Sequence, residues 1–170
     1  TLTWVKPELD ETLRQARLAL EAYVEGGEDP GQLKACANLL HQVQGTLRMV
    51  ELYGAAMVAE EMEQLAKALV EGKVAERDSG YAALMRGIVQ LPDYLERLQG
   101  GHRDIPIVLL PLINELRAAR GAAALGQEAL PRLRRNGDAG YRSTRAADYV
   151  ARLRAFIDHV RLTHEGVAAS

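Results

Sequence analysis

The run PGQLKACANLLHQVQGTLRMV at residues 30–50 decides the fold class. Its apolar side chains recur every three or four positions, which places them on one face of an α-helix. These residues are Leu33, Cys36, Ala37, Leu40, Val43, Leu47 and Val50. Pro30 suits the first turn of a helix and Asp29 suits its N-cap, so the segment is predicted to form an amphipathic helix that ends before Gly54.

The same spacing predicts helices on both sides of this one. A first helix is expected to begin with Pro7 in its first turn and to stop at Gly26. A third is predicted over residues 55–70. A fourth is predicted to start near Ser79, and Pro92 is expected to kink or divide it.

A fifth helix is predicted after two consecutive glycines. Asp104 is its expected cap, Pro106 lies in its first turn, and the apolar pattern continues to Arg120. Pro111 lies about one turn inside and predicts an irregular start.

The composition agrees with an all-α fold. Only 5% of the 170 residues are aromatic, whereas Leu, Ala, Glu and Arg dominate. These four residue types favour helices, while strands favour β-branched and aromatic side chains. An apolar fraction of 48% is enough for a buried core, and helices joined by short loops favour an up-and-down helical bundle.

Charge, cysteine content and hydropathy exclude several classes of protein. A net charge of −2 argues against nucleic acid as a partner, which would need a concentrated excess of Lys and Arg. The single cysteine, Cys36, excludes an internal disulfide framework and suits the cytoplasm. The longest strongly apolar run, residues 105–113, is far shorter than the roughly 20 residues that span a bilayer, so no membrane insertion is expected. No signal peptide is visible.

Three regions are predicted along the chain. Residues 1–122 form the bundle, residues 123–142 a linker rich in Gly, and residues 143–166 a basic C-terminal helix that packs on the bundle or on a partner. Residues 126–170 contain eight Arg and five acidic residues, about +3, which leaves about −5 for the remainder. The first residue is Thr rather than Met, so we expect the chain to be a piece of a longer protein.

His41 is the strongest candidate for chemistry. At about 100° per residue it lies about 100° from the centre of the apolar stripe, at its solvent-accessible rim. Gly45 follows one turn later, where glycine costs a helix about 1 kcal/mol and leaves bare backbone for a partner's approach. Lys34 and Arg48 lie two turns away on the same flank. Imidazole is a nucleophile near pH 7, and cations favour an added phosphoryl group, so the pattern suits a phosphohistidine carrier.

The residues around His41 resemble the motif of the histidine-containing phosphotransfer (Hpt) domains, which is His-x-Leu-Lys-Gly followed by a small residue. Val43, Gln44, Gly45 and Thr46 follow His41 at the matching positions. The resemblance implies a four-helix core, here with additional helices. It also implies that His41 accepts a phosphoryl group from a kinase ATP-binding domain and passes it to a receiver (CheY-like) domain. Gln44 stands where the family has a lysine that helps hold the phosphoryl charge.

Longer stretches extend the resemblance over roughly residues 4–120. Residues 41–51, 59–63, 90–97 and 109–112 look like the N-terminal region of the CheA-like hybrid histidine kinases of type IV pilus chemosensory systems, the ChpA/PilL group. This implies a role in twitching motility and a location at the cell pole. The stretches also resemble FimL-like scaffold proteins, in which a glutamine stands at the position of His41.

Three functions stay open at this point. The first is phosphorelay through His41. Gly45 would leave room for a partner, and the phosphoryl group would be stabilised by Gln44, Lys34 and Arg48. The second is a non-phosphorylated scaffold module that binds polar or pilus-regulatory proteins, and the third is a dimerisation bundle. Glu60, Glu61 and Glu63 are interpreted as a solvated face, with docking of basic partners as the alternative. No phosphate loop, metal-ligand cluster or nucleophile triad is visible, so we expect no cofactor or ATP site in this stretch.

Overall fold

The computed structural model describes residues 2–102 and 106–130, and in these two ranges it contains helices and no strand. The α-helices are α1 (Leu2–Glu25), α2 (Pro30–Met49), α3 (Tyr53–Val70), α4 (Arg77–Gln99) and α5 (Leu110–Ala119). A 3₁₀ turn, Pro106–Leu109, precedes α5. The all-α prediction is confirmed.

The first four helices close into a bundle. α2 packs against α1 and α3, α3 packs against α4, and α4 returns to α1. Short turns join consecutive helices, so each pair is antiparallel. Helix α5 packs on α3 and α4, which places it on the opposite side of α3 from α2. The largest fully buried side chains are Leu9, Leu13, Leu20, Leu33, Leu40, Leu47, Met62, Leu65, Leu69, Leu84, Leu91 and Leu95.

Local hydrogen bonds and backbone conformation define both ends of helix α2. The Asp29 carboxylate accepts a hydrogen bond from the Gly31 N–H over 3.0 Å, and Pro30 occupies the first turn, which confirms the predicted cap. At the other end Glu51 adopts a left-handed φ of 63°, and the Leu52 N–H bonds the Leu47 carbonyl over 2.9 Å. This is a Schellman ending, and it turns the chain into α3.

The prediction made from Pro7 was wrong, and of the two outcomes predicted at Pro92, a kink or a division, the division does not occur. Pro7 lies inside α1, which starts at Leu2, because Val5 is fully buried and continues the apolar stripe one turn before Leu9. Helix α4 continues through Pro92 without division. Leu91 and Leu95 are fully buried on either side of this proline, and their packing offsets the roughly 3 kcal/mol that an interior proline costs.

The fifth helix starts irregularly, as Pro111 predicts: a 3₁₀ turn precedes α5 and Pro111 lies in its first turn. The predicted cap, Asp104, lies outside the described residues. After α5 the chain is held on the bundle, because the Asn114 side chain accepts from the Leu125 N–H over 2.8 Å and donates to the Leu125 carbonyl over 3.0 Å. Residues 131–142 of the predicted linker and the predicted helix at 143–166 also lie outside the described ranges.

None of the helices in the described ranges combines the length and the apolar character that crossing a membrane requires.

Candidate functional site

His41 lies at the rim of the buried face of α2. Its side chain is 71% exposed, while its neighbour Leu40 is fully buried. The imidazole therefore stands at the surface of the bundle, along the seam where α2 meets α3.

Glu63 of α3 holds the imidazole from across this seam. Its Oε1 atom lies 2.9 Å from Nδ1 of His41, and only 4% of Glu63 is exposed. A carboxylate accepts hydrogen bonds, so Nδ1 carries the proton and donates it. The lone pair of the neutral ring then belongs to Nε2, on the other side of the imidazole. The contact fixes both the tautomer and the orientation of the ring, as a carboxylate partner commonly does for a functional histidine.

Lys67 completes this contact from the next turn of α3. Its Nζ lies 2.8 Å from the same Oε1 atom of Glu63. Because both nitrogens contact one oxygen, over 2.9 and 2.8 Å, Lys67 Nζ and His41 Nδ1 are at most 5.7 Å apart. A nearly buried carboxylate needs such partners, since an unpaired buried charge is costly.

The two cations that the sequence placed near His41, Lys34 and Arg48, do not contact the imidazole. Arg48 pairs with Glu60 of α3, with 2.5 Å between Nη2 and Oε2, so its guanidinium is occupied by a carboxylate. Lys34 is exposed and lies seven residues before His41, about 10 Å along the helix axis. Within the described part of the chain, neither side chain makes a hydrogen bond to His41.

Gly45 leaves an open patch on α2 one turn after His41. A Cβ atom placed on Gly45 would meet nothing within 4 Å, so packing within the described chain does not require glycine there. Gln44, at the position before it, is half-buried. The patch gives another molecule close access to the backbone beside the imidazole.

The Hpt domain family matches residues 1–101, the range that contains α1 to α4 and the contact between His41 and Glu63. The chain belongs to the Hpt domain family. Over 125 residues this Hpt chain is 38% identical to the Scaffold protein FimL of Pseudomonas aeruginosa, and the alignment covers 74% of the chain and 22% of FimL. The Hpt chain thus spans about a fifth of the length of that relative. No solved structure matches it.

The interpretation of the α3 acids as a solvated face was wrong for two of the three. Glu61 and Glu63 of the Hpt domain are 8% and 4% exposed. Two residues turn a helix by about 200°, so these two side chains point to opposite sides of α3. Glu63 faces α2, whereas Glu61 faces α5, where Arg117 and Arg120 bond it over 2.8 and 3.1 Å. The third, Glu60, is half-buried and pairs with Arg48.

Sequence reasoning therefore missed Glu63 and Lys67 as members of the site. Their spacing of four residues is a visible signal for an ion pair on one helix face. What the sequence does not contain is the register of α2 against α3, which brings that pair to His41 across 22 positions.

Cys36 of the Hpt domain plays a structural role. Burial raises the pKa of the Cys36 thiol to about 12, so this cysteine is an inert core residue. The described residues contain no cluster of three metal-ligating side chains.

Proposed function

We propose that this chain is a histidine-containing phosphotransfer domain and that Nε2 of His41 is the phosphoryl acceptor. The observation that carries the proposal is the contact of 2.9 Å between Nδ1 of His41 and Glu63, on an imidazole that is 71% exposed. It commits one ring nitrogen to the protein and leaves the other as a nucleophile facing solvent.

Phosphoryl transfer to His41 requires from this chain only the imidazole and the side chains that contact it. The Nε2 lone pair attacks the phosphorus of the donor, and the Nε2–P bond forms as the bond from phosphorus to its leaving group breaks. The Nδ1 proton stays on the ring, where the Glu63 carboxylate stabilises the positive charge that develops. In the second step an aspartate of a receiver domain attacks the phosphorus and the Nε2–P bond breaks.

The proposed partners supply the rest of the machinery. A kinase ATP-binding domain brings the nucleotide and its metal ion, and a receiver domain brings the accepting aspartate, so the chain needs no cofactor of its own. Gly45 lets either partner approach the imidazole closely. Gln44 is a neutral hydrogen-bond donor to the phosphoryl group, and Lys34 adds positive charge to the surrounding surface, whereas Glu60 balances the charge of Arg48.

The longer sequence resemblance supports a specific setting for this chemistry. In this setting the chain is the N-terminal region of a ChpA/PilL-type kinase. That kinase acts in the cytoplasm at the cell pole and controls type IV pili and twitching motility.

Chemical phosphorylation of the whole chain tests the proposal. Phosphoramidate phosphorylates an imidazole directly: the Nε2–P bond forms, its P–N bond breaks, and ammonia leaves. His102 is a control within the same chain, because it is exposed and, among the described residues, its Nδ1 bonds a backbone carbonyl, that of Arg97 over 3.2 Å, rather than a carboxylate. We expect phosphate on His41 well before His102, and loss of this rapid phase in H41Q. Equal labelling of the two histidines would contradict the proposal.

A scaffold function is the second candidate, and the similarity to Scaffold protein FimL favours it. The chain would then recruit polar or pilus-regulatory proteins without being phosphorylated, and the neutral Gln44 fits that use. Twitching motility of cells that carry H41Q in place of the native protein distinguishes the scaffold function from phosphotransfer. Unchanged twitching motility supports the scaffold, whereas lost motility with partner binding intact supports phosphotransfer.

A further inference from the structure

We propose that Lys67 is the residue that holds the phosphoryl group on His41, supplying from α3 the positive charge that Gln44 does not supply from α2. The inference rests on the proposed phosphotransfer function and adds to it a residue for which the sequence motif gives no indication.

The shared carboxylate oxygen is the first argument. Lys67 Nζ and His41 Nδ1 both contact Oε1 of Glu63, over 2.8 and 2.9 Å. Among Lys34, Arg48 and Lys67, only Lys67 shares a partner atom with the histidine. Arg48 pairs with Glu60, and Lys34 is about 10 Å away along α2.

Charge balance is the second argument. Before phosphorylation, one carboxylate and one ammonium flank a neutral imidazole. A phosphoryl group adds a charge of about −1.5 to −2 at neutral pH, next to a carboxylate that is almost buried. Without Lys67 the phosphoryl group and the Glu63 carboxylate, held at the two nitrogens of one imidazole, would repel each other.

The reach of the lysine is the third argument. The Lys67 side chain is 51% exposed, so it is free to turn toward the solvent side of the imidazole. Its ammonium has three donors on a flexible stem. In that position one of its N–H groups can donate to a phosphoryl oxygen. This is a charge-assisted bond of the kind that stabilises phosphoryl groups most strongly.

The experiment uses the full chain and phosphoramidate, with K67M, K67R and the control K73M. Lys73 is a matched control because it is also exposed and pairs with a glutamate, Glu71, over 2.7 Å, but lies beyond the end of α3. We expect K67M to lower the level of phosphohistidine at His41 about tenfold, in line with loss of one charge-assisted hydrogen bond. K67R should restore most of it, and K73M should match the wild-type chain.

Nitrogen-15 NMR of the imidazole separates a phosphoryl contact from an indirect effect through Glu63. We expect the unphosphorylated K67M chain to keep the proton of His41 on Nδ1, as in the wild type. Wild-type phosphohistidine levels in K67M would overturn the role of Lys67 and leave the proposed function intact. A changed tautomer in K67M would make Lys67 a positioning residue for Glu63 and also overturn the inference. Absence of selective phosphorylation of His41 in the wild type would overturn the proposed function itself.

Discussion

Glu63 of α3 accepts a hydrogen bond from Nδ1 of His41 of α2 over 2.9 Å, joining an almost buried carboxylate to an exposed imidazole. The two residues are 22 positions apart, and the packing of α2 on α3 brings them together. This contact commits Nδ1 to the protein and leaves Nε2 as the nitrogen that we propose to be the nucleophile.

Substitution of Glu63 by glutamine should slow phosphorylation of His41. The amide of E63Q keeps a hydrogen-bond acceptor near Nδ1 but removes the negative charge that stabilises the ring as Nε2 attacks. We expect the rate with phosphoramidate to fall about tenfold, the scale of a hydrogen bond to a charged group. The control is E71Q, which alters an exposed glutamate paired with Lys73 and should leave the rate unchanged. Equal rates for E63Q and the wild type would show that the carboxylate has no chemical role.

Substitution of Gly45 by alanine should separate stability from partner docking. Because a Cβ atom there meets nothing within 4 Å, G45A should raise the free energy of unfolding by about 1 kcal/mol, measured by urea denaturation. Phosphorylation by the small donor phosphoramidate should be unchanged, whereas transfer to a receiver domain should slow. Normal transfer by G45A would mean that no partner uses the open patch.

Gly87 is the matched contrast, since its Cβ atom would lie 2.6 Å from Sδ of the fully buried Met62. G87A should therefore lower the free energy of unfolding by about 1–3 kcal/mol, the usual effect of overpacking a core.

Substitution of Glu61 by alanine should loosen α5. Glu61 is 8% exposed and bonds both Arg117 and Arg120, so E61A leaves two guanidinium groups without their carboxylate. Both arginines are partly exposed, which reduces the penalty, and we expect a loss of about 2 kcal/mol in the free energy of unfolding. E71A, which removes an exposed partner of Lys73, should change it by less than about 0.5 kcal/mol. Similar effects of the two substitutions would contradict the assignment of Glu61 as a buried link.

The stability of the chain should fall in alkaline solution because of Tyr81. Burial, and after it the hydrogen bond with Tyr23, raises the pKa of Tyr81 from 10.0 to about 12. The folded chain therefore keeps this proton at pH values where the unfolded chain has lost it. Stability from this group is fully present below pH 10.0 and declines as the pH rises toward 12. Urea unfolding across this interval should show the decline, and Y81F should flatten it. An equally steep decline in Y81F would assign the effect to another group.

The sequence was sufficient for the helices of the bundle and for the position of His41 at the exposed rim of α2. The apolar periodicity predicted which face of α2 is buried, and Asp29 and Pro30 predicted where α2 begins. Both signals are local in the sequence. Pro7 was misplaced, and the helix was not divided at Pro92, because each proline is tolerated inside a helix whose core residues are already buried, which is a tertiary effect.

The partners of His41 were less accessible to sequence reasoning. Glu63 and Lys67 belong to a neighbouring helix, and the register between helices depends on how the whole bundle packs rather than on local spacing. An acidic run on a helix looks solvated from sequence alone. The burial of Glu61 and Glu63 became visible only with α2 and α5 in place on either side of α3.

The most direct test of phosphotransfer through His41 is the identity of the ring nitrogen that becomes phosphorylated. Phosphorus-31 and nitrogen-15 NMR of the chain after treatment with phosphoramidate distinguish a phosphoryl group on Nε2 from one on Nδ1. Because Glu63 occupies Nδ1, we predict phosphate on Nε2 of His41, with the Nδ1 proton retained. Phosphate on Nδ1, or the same mixture of products at His41 and at the exposed His102, would contradict it.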